Sequence, residues 1–291
     1  MGAPIVTSGS QGVPRNAMAL PAFHTGRVGP EMVYPEPEDV QLSLSRTADA
    51  AVDIISEAGE IAKYWYEKAS YRVDTKDDGS PVTQADREVE LFLRKALARR
   101  FPDDGVLGEE FGEHVGSSGR RWIVDPIDGT KSFIRSVPLY ANLLALEEDG
   151  EITFGAINLP SAGVLIHAEK GAGCWRNGAP ARVSGRDRLD GSYVMATWLE
   201  DWAPDTIRQL NSRGVILRTW GDAYGYAMVA CGHAEAIVDY TTKAYDLAPM
   251  PVIIAEAGGR FTSLDGTCDF DCGNGIASNG LLHDSVLELV N

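Results

Sequence analysis

Residues 122–130 read Trp-Ile-Val-Asp-Pro-Ile-Asp-Gly-Thr, which is the most informative run in the chain. Its apolar start predicts a buried strand, and Pro126 ends the hydrogen-bond ladder because proline has no backbone N–H. Asp128 follows at a tight turn, so Asp125 and Asp128 place two carboxylates at one strand end. The alternative is that both residues only form the turn, where aspartate is common.

Gly129 and Thr130 follow directly and predict the start of a helical turn, whose unpaired N–H groups form an anion site. Ligands for a cation therefore lie beside donors for a phosphate. Carboxylate oxygens with room for water suit Mg²⁺, and two or three such ions polarise a phosphoryl group and generate hydroxide. The sequence thus favours metal-assisted chemistry on a phosphate ester.

Two further acidic motifs flank this run along the chain: Gly108-Glu-Glu-Phe111 and Tyr245-Asp246-Leu-Ala248. Taken singly, each carboxylate has an ordinary explanation, since Asp246 could merely cap its helix. A third acidic residue, Asp86, completes the pattern Thr83-x-x-Asp86, which is typical of a capping box at the start of a helix.

The composition excludes several classes of protein. Lys and Arg number 26 against 42 Asp and Glu, a formal charge of −16, which argues against a nucleic-acid partner. The same charge would repel a phosphate ester, so an enzyme for one needs metal cations or local basic residues. The 4 cysteines lack zinc-site spacing, and no apolar run reaches membrane-spanning length. We therefore expect no membrane partner and a cytoplasmic location.

Patterning along the chain predicts helices and hairpins in layers rather than a doubly wound parallel sheet. Residues 1–41 are rich in Gly, Pro and Ser, which indicates a disordered leader or a remnant of the expressed sequence. We expect an N-terminal α+β subdomain at 42–183 with the acidic motifs, and a C-terminal α/β subdomain at 184–291 that completes the site. The predicted helices start near residues 44, 84, 205, 223 and 247; the predicted strands are 121–125, 140–147, 152–158, 164–169, 173–176, 193–196, 214–218, 234–238 and 260–263.

The three acidic motifs, together with Glu256-Ala-Gly-Gly259, resemble the signature of the inositol monophosphatase superfamily over roughly Leu42 to Val290. That resemblance implies an αβαβα layered sandwich of the α+β class, a homodimer and a small phosphorylated metabolite as substrate. It also implies roles for individual residues. The implied metal ligands are Glu109, Asp125, the carbonyl of Ile127, Asp128 and Asp246; the implied catalytic residues are Glu109, Thr130, Asp86 and Lys76.

Within the superfamily, the sequence is most similar to the bacterial histidinol-phosphatase branch, as in Trp220-Gly-Asp-Ala-Tyr-Gly225. An amino-alcohol substrate calls for acceptors in the pocket, whereas a polyol calls for hydroxyl partners. The residues implied to bind substrate are Asp128, Gly129, Thr130, Lys131, Arg218, Asp222 and Asp239. Read from the sequence alone, Lys76 could be a solvated lysine, Asp222 a cap, Asp239 a turn residue and Arg218 a surface arginine.

Two alternative functions stay open at this level: an inositol-1-monophosphatase or related small-molecule phosphatase, and a regulatory binding protein that keeps the metal site. The complete set of Glu109, Thr130 and Asp246 favours an enzyme. The chain also departs from the family pattern, because Tyr245 stands where tryptophan is usual and prolines occupy positions 249 and 251. Pro251 removes a donor that an intact helix would use, so we expect a disturbed helix start after Asp246.

Overall fold

A computed structural model of the chain describes residues 44–291, so the predicted leader at 1–41 lies outside the described residues. Within that range the helices are α1 (Arg46–Lys68), α2 (Gln84–Arg100), α3 (Thr130–Ile134), α4 (Pro204–Ser212), α5 (Asp222–Ala230), α6 (Ala244–Leu247), α7 (Met250–Glu256) and α8 (His283–Val290). No helix of the described range is long and apolar enough to cross a membrane.

The strands begin with the short pair β1 (Val73–Thr75) and β2 (Pro81–Thr83). A sheet of eight strands follows: β3 (Gly105–Gly108), β4 (Gly112–His114), β5 (Arg120–Asp128), β6 (Ala141–Glu148), β7 (Glu151–Leu159), β8 (Val164–Glu169), β9 (Cys174–Arg176) and β10 (Ala179–Pro180). A sheet of five completes the fold: β11 (Tyr193–Met195), β12 (Ile216–Arg218), β13 (Ala236–Asp239), β14 (Arg260–Thr262) and β15 (Gly275–Ser278).

The eight-stranded sheet has the order β10-β9-β8-β7-β6-β5-β3-β4, and only the β3 and β5 pair within it is parallel. The five-stranded sheet has the order β12-β11-β13-β15-β14, with β11 parallel to both of its neighbours. The strands predicted at 140–147 and 152–158 are present and pair as the antiparallel hairpin of β6 and β7.

Alternating side chains divide the core into three clusters and thereby order the layers. On β5, Trp122 and Val124 pack against α1 and α2, whereas Ile123 points to the other face with α5 and α7. On β13, Ile237 faces α5 and α7, and Val238 faces α4 and α8. The sequence of layers is helices, sheet, helices, sheet, helices, which confirms the predicted αβαβα sandwich.

Strand β5 contains a bulge within residues 122–130, where the sequence predicted the end of a strand. Asp125 pairs with Leu143, but Asp128 pairs with Ala141, so the register shifts by one residue between them. The strand continues through Pro126 instead of ending there, which corrects the expectation from sequence. Proline is tolerated because a bulge leaves one residue out of the ladder. The amide of Asn142 donates to the Pro126 carbonyl at 2.5 Å, so the freed acceptor is satisfied.

The prolines after Asp246 divide one predicted helix into two. Helix α6 ends at Leu247, Pro249 is the N-cap of α7, and Pro251 is the second residue of α7. The first N–H groups of a helix have no partner in the helix, so the missing donor of Pro251 costs nothing there. The expectation that Pro251 removes a needed hydrogen bond was wrong, because no continuous helix runs through it.

Strands β1 to β4, β10 and β15 and helix α8 were absent from the prediction, and β15 lies between β13 and β14 in the sheet. The predicted strand at 260–263 is present as an edge strand. The predicted division at residue 183 falls in the segment between β10 and β11, and the division into subdomains stays a prediction.

Candidate active site

A cleft of about 560 Å³ lies where the bulged end of β5 meets α3, α5 and α6. Its walls also include the loop between β1 and β2 and the residues that follow β11. The predicted site residues meet in this cleft, with three exceptions among the described residues: Lys76, Asp86 and Arg218 do not line it. Lys76 contacts Glu109, and Asp86 lies just behind Thr130.

Three carboxylates form the floor of the cleft. Asp125, Asp128 and Asp246 each bring one oxygen within 4.8 Å of the others. Residues 125 and 128 are three apart, so in a regular strand they would point to opposite faces of the sheet. The bulge in β5 removes this difference and directs both side chains into the cleft. The site is thus a product of the one irregularity in that strand.

The electrostatics of this floor favour a cation. Burial, reinforced by the neighbouring carboxylates, raises the pKa of Asp125 and of Asp128 well above the ordinary value. Asp125 is 1% exposed, and its Oδ1 atom has no hydrogen-bond partner within residues 44–291. Buried polar atoms normally have partners, and buried charges are paired or bind metals. The all-oxygen donor set fits Mg²⁺ or a similar hard cation.

Asp246 serves two functions at once. Its Oδ2 atom accepts the N–H of Lys243 at 2.8 Å, which caps α6 at its first turn. Burial raises its pKa to about 6, although the bond from Lys243 opposes the shift. Asp246 therefore caps α6 and also brings an oxygen to the acidic floor, so the predicted capping role does not exclude its place in the cluster.

Glu109 enters the cleft from the turn between β3 and β4, and Lys76 contacts it. The Nζ atom of Lys76 lies 2.6 Å from Glu109 Oε1 and 2.6 Å from Glu110 Oε1. Burial alone would lower the pKa of Lys76, but the two carboxylates outweigh it and raise that pKa. Burial raises the pKa of Glu109 to about 7 against the opposing charge of Lys76. Lys76 is thus an embedded ion-pair partner and not a solvated loop lysine.

The hydroxyl of Thr130 faces two acceptors, the Ile127 carbonyl at 2.9 Å and Asp86 Oδ1 at 3.2 Å. Asp86 also closes the predicted capping box of α2, accepting the N–H of Thr83 at 2.8 Å and the Thr83 hydroxyl. Burial raises the pKa of Asp86 to about 6, and the bonds from Thr83 oppose it. Asp86 therefore joins the start of α2 to the start of α3.

Gly129 is the N-cap of α3 and has φ +80, a conformation that side chains disfavour. A Cβ there would lie 3.1 Å from the Leu139 carbonyl and 3.2 Å from Asp222 Oδ2. The next residue but one, Lys131, places its ammonium 4.0 Å from the centre of the Trp198 ring. A basic and aromatic pair thus lines the same cleft as the acidic floor.

Asp222 lies in the cleft but does not cap α5, since Gly221 is the N-cap. It has φ 51, and its N–H donates to Thr197 Oγ1 at 2.8 Å. Burial and the charges of Asp239 and Asp246 raise its pKa to about 7, whereas Lys131 lowers it. The side chain of Asp222 lines the cleft and has no ion pair among the described residues, so its carboxylate is available to a ligand.

Asp239 reaches the same wall, but both of its oxygens already accept protein donors. Oδ1 accepts the N–H of Thr197 at 2.9 Å, and Oδ2 accepts the hydroxyl of Tyr226 at 3.0 Å. The residue is 4% exposed. Asp239 thus lines the cleft, but its hydrogen-bonding capacity is already used by Thr197 and Tyr226.

Arg218 lies outside the cleft at the end of the edge strand β12. Its guanidinium is 5.8 Å from the ring centres of both Tyr193 and Trp220, and it donates to its neighbour's carbonyl. Arg218 is therefore an exposed residue outside the cleft. Its predicted contact with substrate stays a prediction.

Sequence reasoning missed Thr197, Trp198, Tyr226 and Glu110 as parts of the site. Thr197 and Trp198 follow the carboxyl end of β11, a strand with parallel neighbours on both sides. Ligands commonly bind at such strand ends. Their position after a predicted strand could therefore have indicated Thr197 and Trp198. Tyr226 gave none, because a tyrosine in a helix usually belongs to the core.

Comparisons with known proteins agree with this geometry. The sequence model of the inositol monophosphatase family matches residues 43–291. A histidinol-phosphatase of Chlorobaculum parvum is 40% identical over 78% of this chain and 90% of its own length. A histidinol-phosphatase of Mycobacterium tuberculosis is 39% identical over 83% and 96%. The solved structure of an IMPase from Thermotoga maritima superposes with a TM-score of 0.77 at 28% identity, covering 85% of this chain and 97% of that one.

Proposed function

Because this chain belongs to the inositol monophosphatase family and is a phosphoric monoester hydrolase, we propose that it hydrolyses L-histidinol phosphate with Mg²⁺ at the acidic floor of the cleft. The observation that carries the metal assignment is the buried Asp125 oxygen without a hydrogen-bond partner, surrounded by two more carboxylates. The proposed ligands of two or three ions are Glu109, Asp125, the Ile127 carbonyl, Asp128 and Asp246.

When bound there, Mg²⁺ supplies charge that polarises a phosphate oxygen and makes water more acidic. The protein supplies orientation. The Thr130 proton points to Asp86 or to the Ile127 carbonyl, so the Thr130 oxygen is free to accept a hydrogen bond from water. Glu109 lines the same space and takes the second position beside that water. The N–H groups at the start of α3, from Gly129 and Thr130, face the phosphate.

Lys76 has a supporting role in this arrangement. It lies between Glu109 and Glu110 and offsets their mutual repulsion when both are ionised. Without Lys76, Glu109 and Glu110 would add two uncompensated carboxylates beside a floor that already holds three. Lys76 therefore fixes the position of Glu109 and sets how readily that carboxylate accepts a proton.

The substrate assignment depends on the groups that face the leaving alcohol, since the metal floor and α3 treat all phosphate monoesters alike. Asp222 offers a carboxylate to this side of the cleft, which suits a cationic amine better than a neutral polyol. Lys131 and Trp198 form the adjacent wall. The two relatives named histidinol-phosphatase support the same choice.

A second candidate substrate is inositol 1-phosphate, favoured by the similarity to the Thermotoga maritima IMPase. The floor of the cleft would serve it equally well. The two candidates differ at Asp222, where a neutral ring would leave a half-buried carboxylate without a matching partner. The substrate-contacting role of Asp239 is weaker on the same grounds, because its oxygens are already used.

Phosphate release from a panel of esters tests the proposal directly. We expect the highest kcat/KM for L-histidinol phosphate, loss of activity after chelation and recovery on addition of Mg²⁺. Full activity in the presence of chelator would contradict the metal assignment, and a higher kcat/KM for inositol 1-phosphate would contradict the substrate. We further propose that the protein is cytoplasmic and forms a homodimer; light scattering of the purified full chain would check the dimer.

A further inference from the structure

Glu90, on helix α2, is a buried acid that the proposed chemistry does not use. It is 0% exposed, and its carboxylate accepts three donors. These are the N–H of Glu110 at 2.7 Å, the N–H of Phe111 at 3.2 Å and Arg94 Nε at 2.8 Å. A buried carboxylate is costly unless it is fully paired, so this residue is held by a specific set of contacts.

The other side of this contact is shaped to admit the carboxylate. A Cβ on Gly108 would lie 2.1 Å from Glu90 Oε1 and 2.9 Å from Arg94 Nη2, closer than real atoms approach. Arg94 also donates to the Gly112 carbonyl, and Gly108 pairs with Gly112 across the hairpin of β3 and β4. Through Glu90 and Arg94, helix α2 thus contacts both strands of this hairpin next to its turn.

Glu109 lies in this turn, between β3 and β4. The two peptide N–H groups bound by Glu90 belong to the residues that follow Glu109 directly, so they fix the backbone direction at Glu109. From the cleft side, Lys76 binds the Glu109 side chain at 2.6 Å. We infer that Glu90 is a positioning residue that holds Glu109 in place for the metal; this inference rests on the proposed function.

Partners that orient a metal ligand commonly change affinity by about 10–100-fold when they are removed. We therefore expect Glu90→Gln and Gly108→Ala to raise the Mg²⁺ concentration at half saturation by about tenfold or more. Glu90→Gln replaces an acceptor by a donor that faces an N–H group. Gly108→Ala removes no carboxylate from the sequence, but its methyl group forces the Glu90 carboxylate away from the hairpin turn. The measurement is calorimetric titration of the full chain with Mg²⁺ alone, without substrate.

The matched control is Glu88→Gln, on the same helix, where the carboxylate accepts the Trp65 indole N–H at 2.9 Å and is remote from the hairpin turn. We expect this variant to bind Mg²⁺ as the unmodified chain does. Wild-type affinity in folded Glu90→Gln and Gly108→Ala would overturn the inference. Loss of the folded state in both variants would overturn it as well, since Glu90 would then act on the fold rather than on Glu109.

A double variant separates this inference from the proposed function. If Glu90 acts through Glu109, adding Glu90→Gln to Glu109→Gln should weaken Mg²⁺ binding by less than about twofold more. Independent, multiplicative losses would overturn the inference and leave the ligand set intact. If Glu109→Gln alone binds Mg²⁺ normally, Glu109 is no ligand, and the inference falls together with that part of the proposed function.

Discussion

Single carboxylates in the cleft combine two uses that a sequence presents as alternatives. Asp246 caps α6 and joins the acidic floor, and Asp86 closes a capping box and contacts Thr130. A capping position fixes a side chain at a helix start with a hydrogen bond to backbone. The same constraint holds the remaining oxygen in a defined direction. Helix capping is therefore part of how this site is preorganised.

The first residue-scale prediction concerns Asp125→Asn. The change removes one charge from the floor without opening a cavity, so we expect a loss of kcat of roughly 10²-fold or more with an unchanged fold. In the absence of metal, melting should not fall, because burial and neighbouring carboxylates oppose ionisation of Asp125. Phosphate release and thermal melting provide the two measurements.

Glu113→Gln is the control for that prediction. Glu113 is a carboxylate on the same sheet, but it forms a partly exposed ion pair with Arg121 at 3.1 Å. Surface pairs of this kind contribute little. Its activity should therefore match that of the unmodified chain. Turnover retained in Asp125→Asn would mean that the floor of the cleft does not perform the chemistry.

Asp222→Asn tests the choice of substrate. Loss of the carboxylate should cut kcat/KM for L-histidinol phosphate by roughly 1–3 kcal/mol of transition-state stabilisation, because a charge-assisted bond to the amine is lost. A small neutral-alcohol ester serves as the internal control and should change much less. Equal losses for both esters would show that Asp222 supports the metal floor instead of selecting the alcohol.

At the scale of elements, local patterns predicted what local physics determines. The period of apolar residues predicted α1, and two apolar runs separated by turn residues predicted the strands of the β6 and β7 hairpin. The bulge at Pro126 and the break between α6 and α7 were harder to predict. Both depend on how two elements pair or pack, and a proline in the sequence states only that one N–H is missing.

The same limit applies to the site. The acidic motifs are contiguous in sequence, so they could be predicted, whereas Glu90 and Tyr226 make their contacts with distant segments. Strand β15 is short and glycine-led, and it is recognisable only as the partner of β13 and β14. Tertiary pairing gives it a structure that its composition does not indicate.

The packing of α7 on β7 yields a prediction at this scale. A Cβ on Gly155 would lie 2.6 Å from the Pro249 carbonyl and 2.9 Å from a methyl group of Val252, so the helix start rests directly on the strand. Gly155→Ala should destabilise the fold by roughly 1–3 kcal/mol, because neither backbone can yield freely. Denaturant unfolding measures this free energy.

Gly185→Ala is the matched control, since a Cβ at that position meets nothing within 4 Å. It should leave the unfolding free energy nearly unchanged. A Gly155→Ala variant as stable as the unmodified chain would show that the start of α7 can shift at no cost in free energy. The connection between α6 and α7 at Pro249 would then be flexible.

For the whole molecule, the five layers bring the cleft to the strand ends of both sheets, and helices α4 and α8 contribute no residue to its lining. Helices α4 and α8 cover the distant face of the five-stranded sheet with their own core cluster. Their contribution is to stability, so disturbances there should change melting and leave metal binding as it was. The pH dependence of the fold can therefore be separated from that of the reaction.

His283, at the start of α8, provides that separation. It is 0% exposed and lies between the hydroxyls of Thr262, at 3.0 Å from Nε2, and Ser278, at 2.9 Å from Nδ1. Burial lowers its pKa from 6.5 to about 4, reinforced by Arg260. The unfolded chain therefore binds a proton in this window that the folded chain does not, so stability falls as pH drops from 6.5 towards 4.

We expect His283 to account for roughly 1–3 kcal/mol of that loss. The test is to compare unfolding free energies of the unmodified chain and His283→Asn between pH 4 and pH 7. Asparagine can hydrogen-bond to a hydroxyl but does not titrate, so the difference between the two curves should shrink as the pH falls. A constant difference across this range would show that His283 does not contribute to the acid sensitivity of the fold.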